Sequence, residues 1–252
     1  MPSGTCINAR TFDISYLKNE LLGVSELNKK ANKLEFDKLN LVSLIMFNIY
    51  IKGKFEKEEQ LFQGKSLPKD AVQFKEGKTL YDAFKLGFLL SLPIMLLMIG
   101  VSIMRCLNLD SHLEYSEELI IIAAVTLIIG QVLSYVHEFI HAMFYPREAE
   151  KTVWKDLKHG AYFVYCDAKV SKNRFVILCL APSVVLGLIP FFIWYMVAPI
   201  LGVEWRICIM VLTWMMTFMS IGDFANAFNA IRQVPKKGKV FNYGMHSYWI
   251  IE

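Results

Sequence analysis

The sequence predicts an all-α integral membrane protein: four transmembrane helices, both termini cytoplasmic, and a small polar N-terminal region. Three observations carry this. Four long apolar runs stand in a chain of 252 residues. The composition is 55% hydrophobic with a mean hydropathy of +0.38, against roughly 45–50% apolar in an ordinary soluble domain. The loops between the runs alternate between strongly and weakly basic, as membrane topology demands. The formal net charge is only +4 and the lysines are clustered in loops, which points away from nucleic acid and towards a lipid bilayer as the partner.

Residues 1–80 are polar and lysine-rich, with one exception. LVSLIMFNIYI (41–51) is apolar, but a span needs about 20 residues. Its β-branched and aromatic content suits a strand in a local core, or a membrane-surface segment. QGKSLPKDAVQFKEGKT (63–79) reads as a turn-rich linker. The first apolar run is LGFLLSLPIMLLMIGVSIM (86–104), with Pro93 as a kink. The second is LIIIAAVTLIIGQVLSYV (119–136), continuing into HEFIHAMFY. The third starts at Phe175, carries no charge until Glu204, and contains Pro182, Pro190 and Pro199. The fourth is ICIMVLTWMMTFMSIG (207–222), continuing into DFANAFNAI. Each is long enough to cross a hydrocarbon core of about 30 Å at about 1.5 Å per residue. The expected organisation is a polar cytoplasmic region over 1–80, a four-helix membrane domain over 81–235, and a cytoplasmic tail over 236–252. The five cysteines include no CxxC pair, which argues against a disulfide framework. The N-terminus shows no apolar stretch of the signal-peptide kind.

Orientation follows from charge. Lys69, Lys75, Lys78 and Lys85 precede the first run, and the connection after it, RCLNLDSHLEYSEE, is mostly acidic. The second connection holds Arg147, Lys151, Lys155, Lys158, Lys169, Lys172 and Arg174. The third has one arginine and no lysine, and the tail has Arg232, Lys236, Lys237 and Lys239. By the positive-inside rule the termini and the long second connection are cytoplasmic, which suits a multi-pass membrane protein.

The second run ends in His137-Glu138-Phe139-Ile140-His141, the pattern HExxH. On a helix, positions i and i+4 share a face, so both imidazoles can hold one metal ion. Glu138 is then placed to take a proton from an activated water. The bland alternative is a pair of histidines at a helix C-terminus, where cations are favoured. Glu138 weighs against it, because an acid is unfavourable there without a task.

A catalytic zinc takes three protein ligands and keeps one open position. Asp223, in MSIGDFANAFNA, is the candidate third. His137 lies about 27 Å along its helix from Leu119, and Asp223 about 24 Å from Ile207, both counted from the outer face. The two meet at one depth, near the cytoplasmic side. The alternative for Asp223 is a helix-end carboxylate among the headgroups. Asn226 could orient a ligand or be polar helix surface. Cys166 and Asp167 are weaker ligand candidates. AYFVYC, around them, reads as a strand that either holds a substrate peptide by strand addition or merely packs over the helices. His159 and His246 read as surface residues, and His112 falls in the outer loop. Pro182 would free a backbone carbonyl near the site, although proline is ordinary in membrane helices.

HEFIHAMFY, then YFVYCDAKVSKNRFVILCLAPSVVLG, then SIGDFANAFNAIRQVPKKGKV, in that order, resemble the bacterial membrane putative zincin peptidase family, and more distantly site-2 proteases. The resemblance implies a multi-pass metallopeptidase with zinc as cofactor, acting on a membrane protein or peptide. In such an enzyme His137, His141 and Asp223 would be the metal ligands and Glu138 the general base. The rival is a non-hydrolytic metal-binding membrane protein: a sensor, transporter or immunity-type partner. That protein would need His137 and His141 but not Glu138.

Overall fold

The structure is a computed structural model that describes residues 47–62, 64–76, 80–107, 117–158 and 160–251. The polar stretch before residue 47, the first connection with His112, and His159 lie outside the described residues. In chain order the elements are β1 (Ile49–Lys54), α1 (Glu59–Phe62), β2 (Val72–Gln73), α2 (Leu80–Leu107), α3 (Glu117–Phe144), β3 (Lys151–Asp156), β4 (Ala161–Tyr165) and β5 (Val170–Ser171). Then come α4 (Lys172–Pro182), a π-helical turn (Ser183–Leu188), α5 (Ile189–Val197), a 3-10 turn (Ala198–Ile200), α6 (Val203–Met219), α7 (Ile221–Gln233), β6 (Gly238–Tyr243) and β7 (His246–Ile251).

Among the described residues, three helical segments are long and apolar enough to cross a membrane: Phe84–Leu107, Ile120–Phe144 and Lys172–Ile200. The pair Val203–Met219 and Ile221–Gln233 qualifies together as a fourth, bent by 43°. Their outward faces carry uncovered Leu89, Leu97, Ile121, Ile128 and Phe192. Water would make that surface costly and hydrocarbon would not.

The expectation of an all-α protein is corrected. Among the described residues one sheet has the order β1-β3-β4 and another the order β2-β7-β6-β5. β1 lies parallel to β3, whereas β3 and β4 are antiparallel, as are all neighbours in the second sheet. The physical reason lies at one end of the bundle. There Tyr145, Phe175, Leu178, Ala230 and Val234 need covering, and Phe74, Cys166, Val170 and Val240 from the sheet segments supply the cover. AYFVYC is a strand as expected, and the last part of 41–51 lies in β1. The segment 63–79, expected to be a linker, contains β2 and the buried Phe74.

Prolines set the breaks in the third run. Pro182 ends α4, Pro190 sits in the first turn of α5, and Pro199 lies in the 3-10 turn. Each position tolerates a residue with no N–H. Pro93 sits inside α2 without ending it. At the far end of the bundle the buried Arg206 donates to the carbonyls of Ala198 at 3.1 Å and Leu201 at 2.9 Å, and its own carbonyl accepts from the Trp194 indole at 2.8 Å. These bonds satisfy carbonyls that the broken helix leaves open.

One close approach matters for the site. A Cβ on Gly87 of α2 would stand 2.0 Å from the backbone oxygen of Ile221, the first residue of α7. Gly87→Ala is therefore expected to push α2 off the bend that carries Asp223. The expected cost is about 1–3 kcal/mol, read as a lower thermal midpoint in detergent.

Candidate metal centre

The bend that sequence periodicity does not reveal is what presents Asp223. The fourth run breaks at Ser220 (φ −80, ψ 14), and α7 starts afresh, with Asp223 in its first turn. The helix N-terminus offers unpaired N–H groups and positive dipole density, so a carboxylate is favoured there.

His137 and His141 lie on one face of α3, both buried, at 4% and 8% exposure. The Asp223 carboxylate meets both rings. Its Oδ2 is 3.1 Å from His137 Nε2, and its Oδ1 is 3.2 Å from His141 Nε2. The two Nε2 atoms are 3.1 Å apart. Ligand atoms about 2.0–2.1 Å from a tetrahedral zinc stand about 3.3 Å from one another. The three side chains are thus spaced as a zinc ion requires.

The hydrogen positions agree. His141 Nδ1 is 2.9 Å from the carbonyl oxygen of Leu178. A carbonyl only accepts, so Nδ1 carries a hydrogen, and in the neutral ring it is Nε2, on the side of Asp223 and His137, that has the lone pair a metal would take. The Leu178 carbonyl is available because its helical partner would be the N–H of residue 182. That residue is Pro182, which has none. The freed carbonyl expected from the sequence is therefore used, and its user is His141. His137 Nδ1 is buried without a hydrogen-bond partner among the described residues.

Glu138 points to a different neighbour. Its Oε2 accepts from the Val164 N–H of β4 at 3.0 Å. A carboxylate oxygen of Glu138 also stands within 4.8 Å of a ring nitrogen on each histidine, so His137, Glu138 and His141 form a group able to hold a metal. Asp223 lies closer to both rings, and the Val164 bond draws Glu138 towards the strand. A cavity of about 220 Å³ opens beside Glu138, His141 and Asp223, lined also by Tyr145, Cys179 and Asn226.

Residues 130–238 match the putative zincin peptidase family. The matched zincin segment runs from the middle of α3 through β3–β5 and α4–α7 to the start of β6, so it contains every side chain named at the site. No curated protein and no solved structure gives a significant match.

The weaker candidates are elsewhere. Cys166 packs in the apolar core under the sheets, and burial pushes its thiol up to about 11, so it stays protonated and is a poor ligand. Asp167 pairs with Lys65. His246 is half-exposed in β7 and lies 3.4 Å from Glu76. Sequence reasoning did not find the Val164 N–H as the partner of Glu138, nor Cys179 in the cavity wall. A backbone donor leaves no mark in a sequence. Cys179 sits one residue after Leu178 in an apolar run, where nothing distinguishes it from core.

Proposed function

We propose that the protein is a zinc-dependent peptidase of a bacterial cytoplasmic membrane, hydrolysing peptide bonds at or just inside the cytoplasmic face. The observation that carries this is the triangle of His137 Nε2, His141 Nε2 and the Asp223 carboxylate, with sides of 3.1–3.2 Å, beside a glutamate bonded to a strand edge. His137, His141 and Asp223 would hold the metal, and the matched zincin segment supports zinc as its identity. Zinc bound there supplies a Lewis acid that polarises a carbonyl and acidifies water.

The chain's own groups do the rest. Glu138 takes a proton from the attacking water and returns it to the leaving amide nitrogen. The Val164 N–H holds one oxygen of Glu138, which fixes the direction of the other. Asn226 lies one turn after Asp223 on α7 and lines the cavity. It has no hydrogen-bond partner among the described residues, so its amide is free to donate to a developing oxyanion.

The test is metal per chain in detergent-purified protein, handled without chelator. Wild type is expected to carry close to one zinc, and His137→Ala and Asp223→Ala to lose it. A metal-free wild type would sink the reading. Zinc retained in Asp223→Ala would displace that residue from the ligand set.

A further inference from the structure

The polar cavity beside the candidate metal centre has a wall that the chemistry proposed so far leaves unused. Tyr145 and Asn242 line it together with Glu138, His141, Asp223 and Asn226. Tyr145 comes four residues after His141 and eight after His137, so it continues their face just past the end of α3. Its ring packs in the core with Phe175 and Leu178, which leaves it 5% exposed. Asn242 comes from β6, beyond residue 238 where the matched zincin segment ends.

Asn242 fixes the direction of the tyrosine hydroxyl. Its Nδ2 is 3.0 Å from the Tyr145 oxygen and 3.4 Å from the Cys166 carbonyl oxygen. A carbonyl only accepts, so the amide turns its NH₂ to that side. The other end is held as well: Oδ1 accepts from Ser247 Oγ at 3.1 Å, across the β6–β7 pair that sets Asn242 opposite Ser247. Ser247 is anchored in turn, because its N–H donates to Glu76 at 3.3 Å. The Tyr145 oxygen therefore accepts from Asn242, and its own hydrogen points elsewhere. Among the described residues none accepts it. Glu138 is engaged with the Val164 N–H, and Asp223 with the two histidines. A buried hydroxyl without an acceptor calls for an explanation, and the open space beside this one is the cavity. Burial raises the Tyr145 hydroxyl well above its ordinary value, so it keeps its proton and offers only a hydrogen bond. A carboxylate or phosphate entering the cavity would meet Glu138 and Asp223. A peptide carbonyl enters uncharged and gains charge only as water adds to it.

We propose that Tyr145 is a further catalytic residue, donating a hydrogen bond to the carbonyl oxygen of the bond being cut, and that Asn242 is the positioning residue that aims it. The proposal rests on the peptidase reading above. It makes the C-terminal hairpin, outside the matched segment, a working part of the site.

The experiment uses the full zinc-loaded chain in detergent and two probes. One is a random octapeptide library. The other is the same library with a tetrahedral phosphinic group in place of the central peptide bond. Cleavage of the best-cut peptide gives kcat and KM, and competition gives affinity for the phosphinic peptides. Tyr145→Phe removes only the hydroxyl. It is expected to lower kcat about 10²–10³-fold, the cost of one oxyanion donor, with KM changed less than about threefold. Zinc content is expected to stay at the wild-type value, and phosphinic affinity to fall at least about tenfold. Asn242→Asp keeps the size but replaces the NH₂ by an acceptor, so the hydroxyl turns to the carboxylate and leaves the cavity. Alone it is expected to lower kcat as far as Tyr145→Phe does, and to add little in the double variant. A merely structural role would spread the losses over KM, zinc content and thermal midpoint. Unchanged kcat in Tyr145→Phe, or an Asn242→Asp loss that persists in full without the hydroxyl, would overturn the proposal. Wild type that cuts nothing, yet loses phosphinic affinity on Tyr145→Phe, would leave the donor standing and remove the peptidase reading. Wild type that cuts peptides and is matched by Tyr145→Phe would do the reverse.

Discussion

Glu138→Gln is expected to lower kcat for peptide hydrolysis by about 10²–10⁴-fold while zinc content stays at the wild-type value. The two halves of that result have separate causes. Glutamine keeps the size and the acceptor oxygen that receives the Val164 N–H at 3.0 Å, so β4 and α3 stay together. It cannot take a proton from water at neutral pH. The metal stays because the close triangle is made by His137, His141 and Asp223, with Glu138 turned to the strand. The measurement is zinc per chain together with cleavage of a random peptide library by both proteins. Zinc lost along with activity would make Glu138 a ligand and reassign Asp223. Zinc kept with activity unchanged would remove Glu138 from the chemistry, and zinc kept with no cleavage by either protein would favour a metal-binding protein that does no hydrolysis.

How much of this was legible in the sequence depends on what each residue had to announce. The helices long and apolar enough to cross a membrane were, because hydrocarbon selects unbroken apolar runs and 86–104 and 119–136 are such runs. The meeting of His137 with Asp223 was, because helical rise turns residue number into depth. The two sheets were not. β5 and β2 have two residues each, too short to show an alternating pattern, and they form because the bundle end leaves Tyr145 and Phe175 to be covered. The break at Ser220 was hidden as well. SIGD carries no proline, and the run reads as continuous from Ile207 to Ile231. What the break achieves, a carboxylate at a fresh helix N-terminus, depends on Gly87 allowing α2 to within a carbonyl's reach of Ile221. No local window contains both.

Pro182 was legible as a proline, and its consequence can be tested. Pro182→Ala is expected to weaken zinc binding by about 10–100-fold, the range for losing a partner that orients a metal-binding histidine. The alanine N–H would stand one helical turn from the Leu178 carbonyl and compete for the oxygen that His141 Nδ1 now uses at 2.9 Å. A His141 ring without that acceptor is free to carry its hydrogen on Nε2, where it blocks the lone pair the metal needs. An effect on helix stability runs the other way: alanine is the better helix former by about 3 kcal/mol in a helix interior, so general unfolding does not explain a weaker site. Zinc affinity by competition with a chelator gives the first readout. Nitrogen chemical shifts of the His141 ring in metal-free protein give the second, with a shift of the hydrogen towards Nε2 expected in the variant. Unchanged affinity and an unchanged tautomer would mean that the Leu178 carbonyl serves both donors. The proline would then be only the boundary of α4.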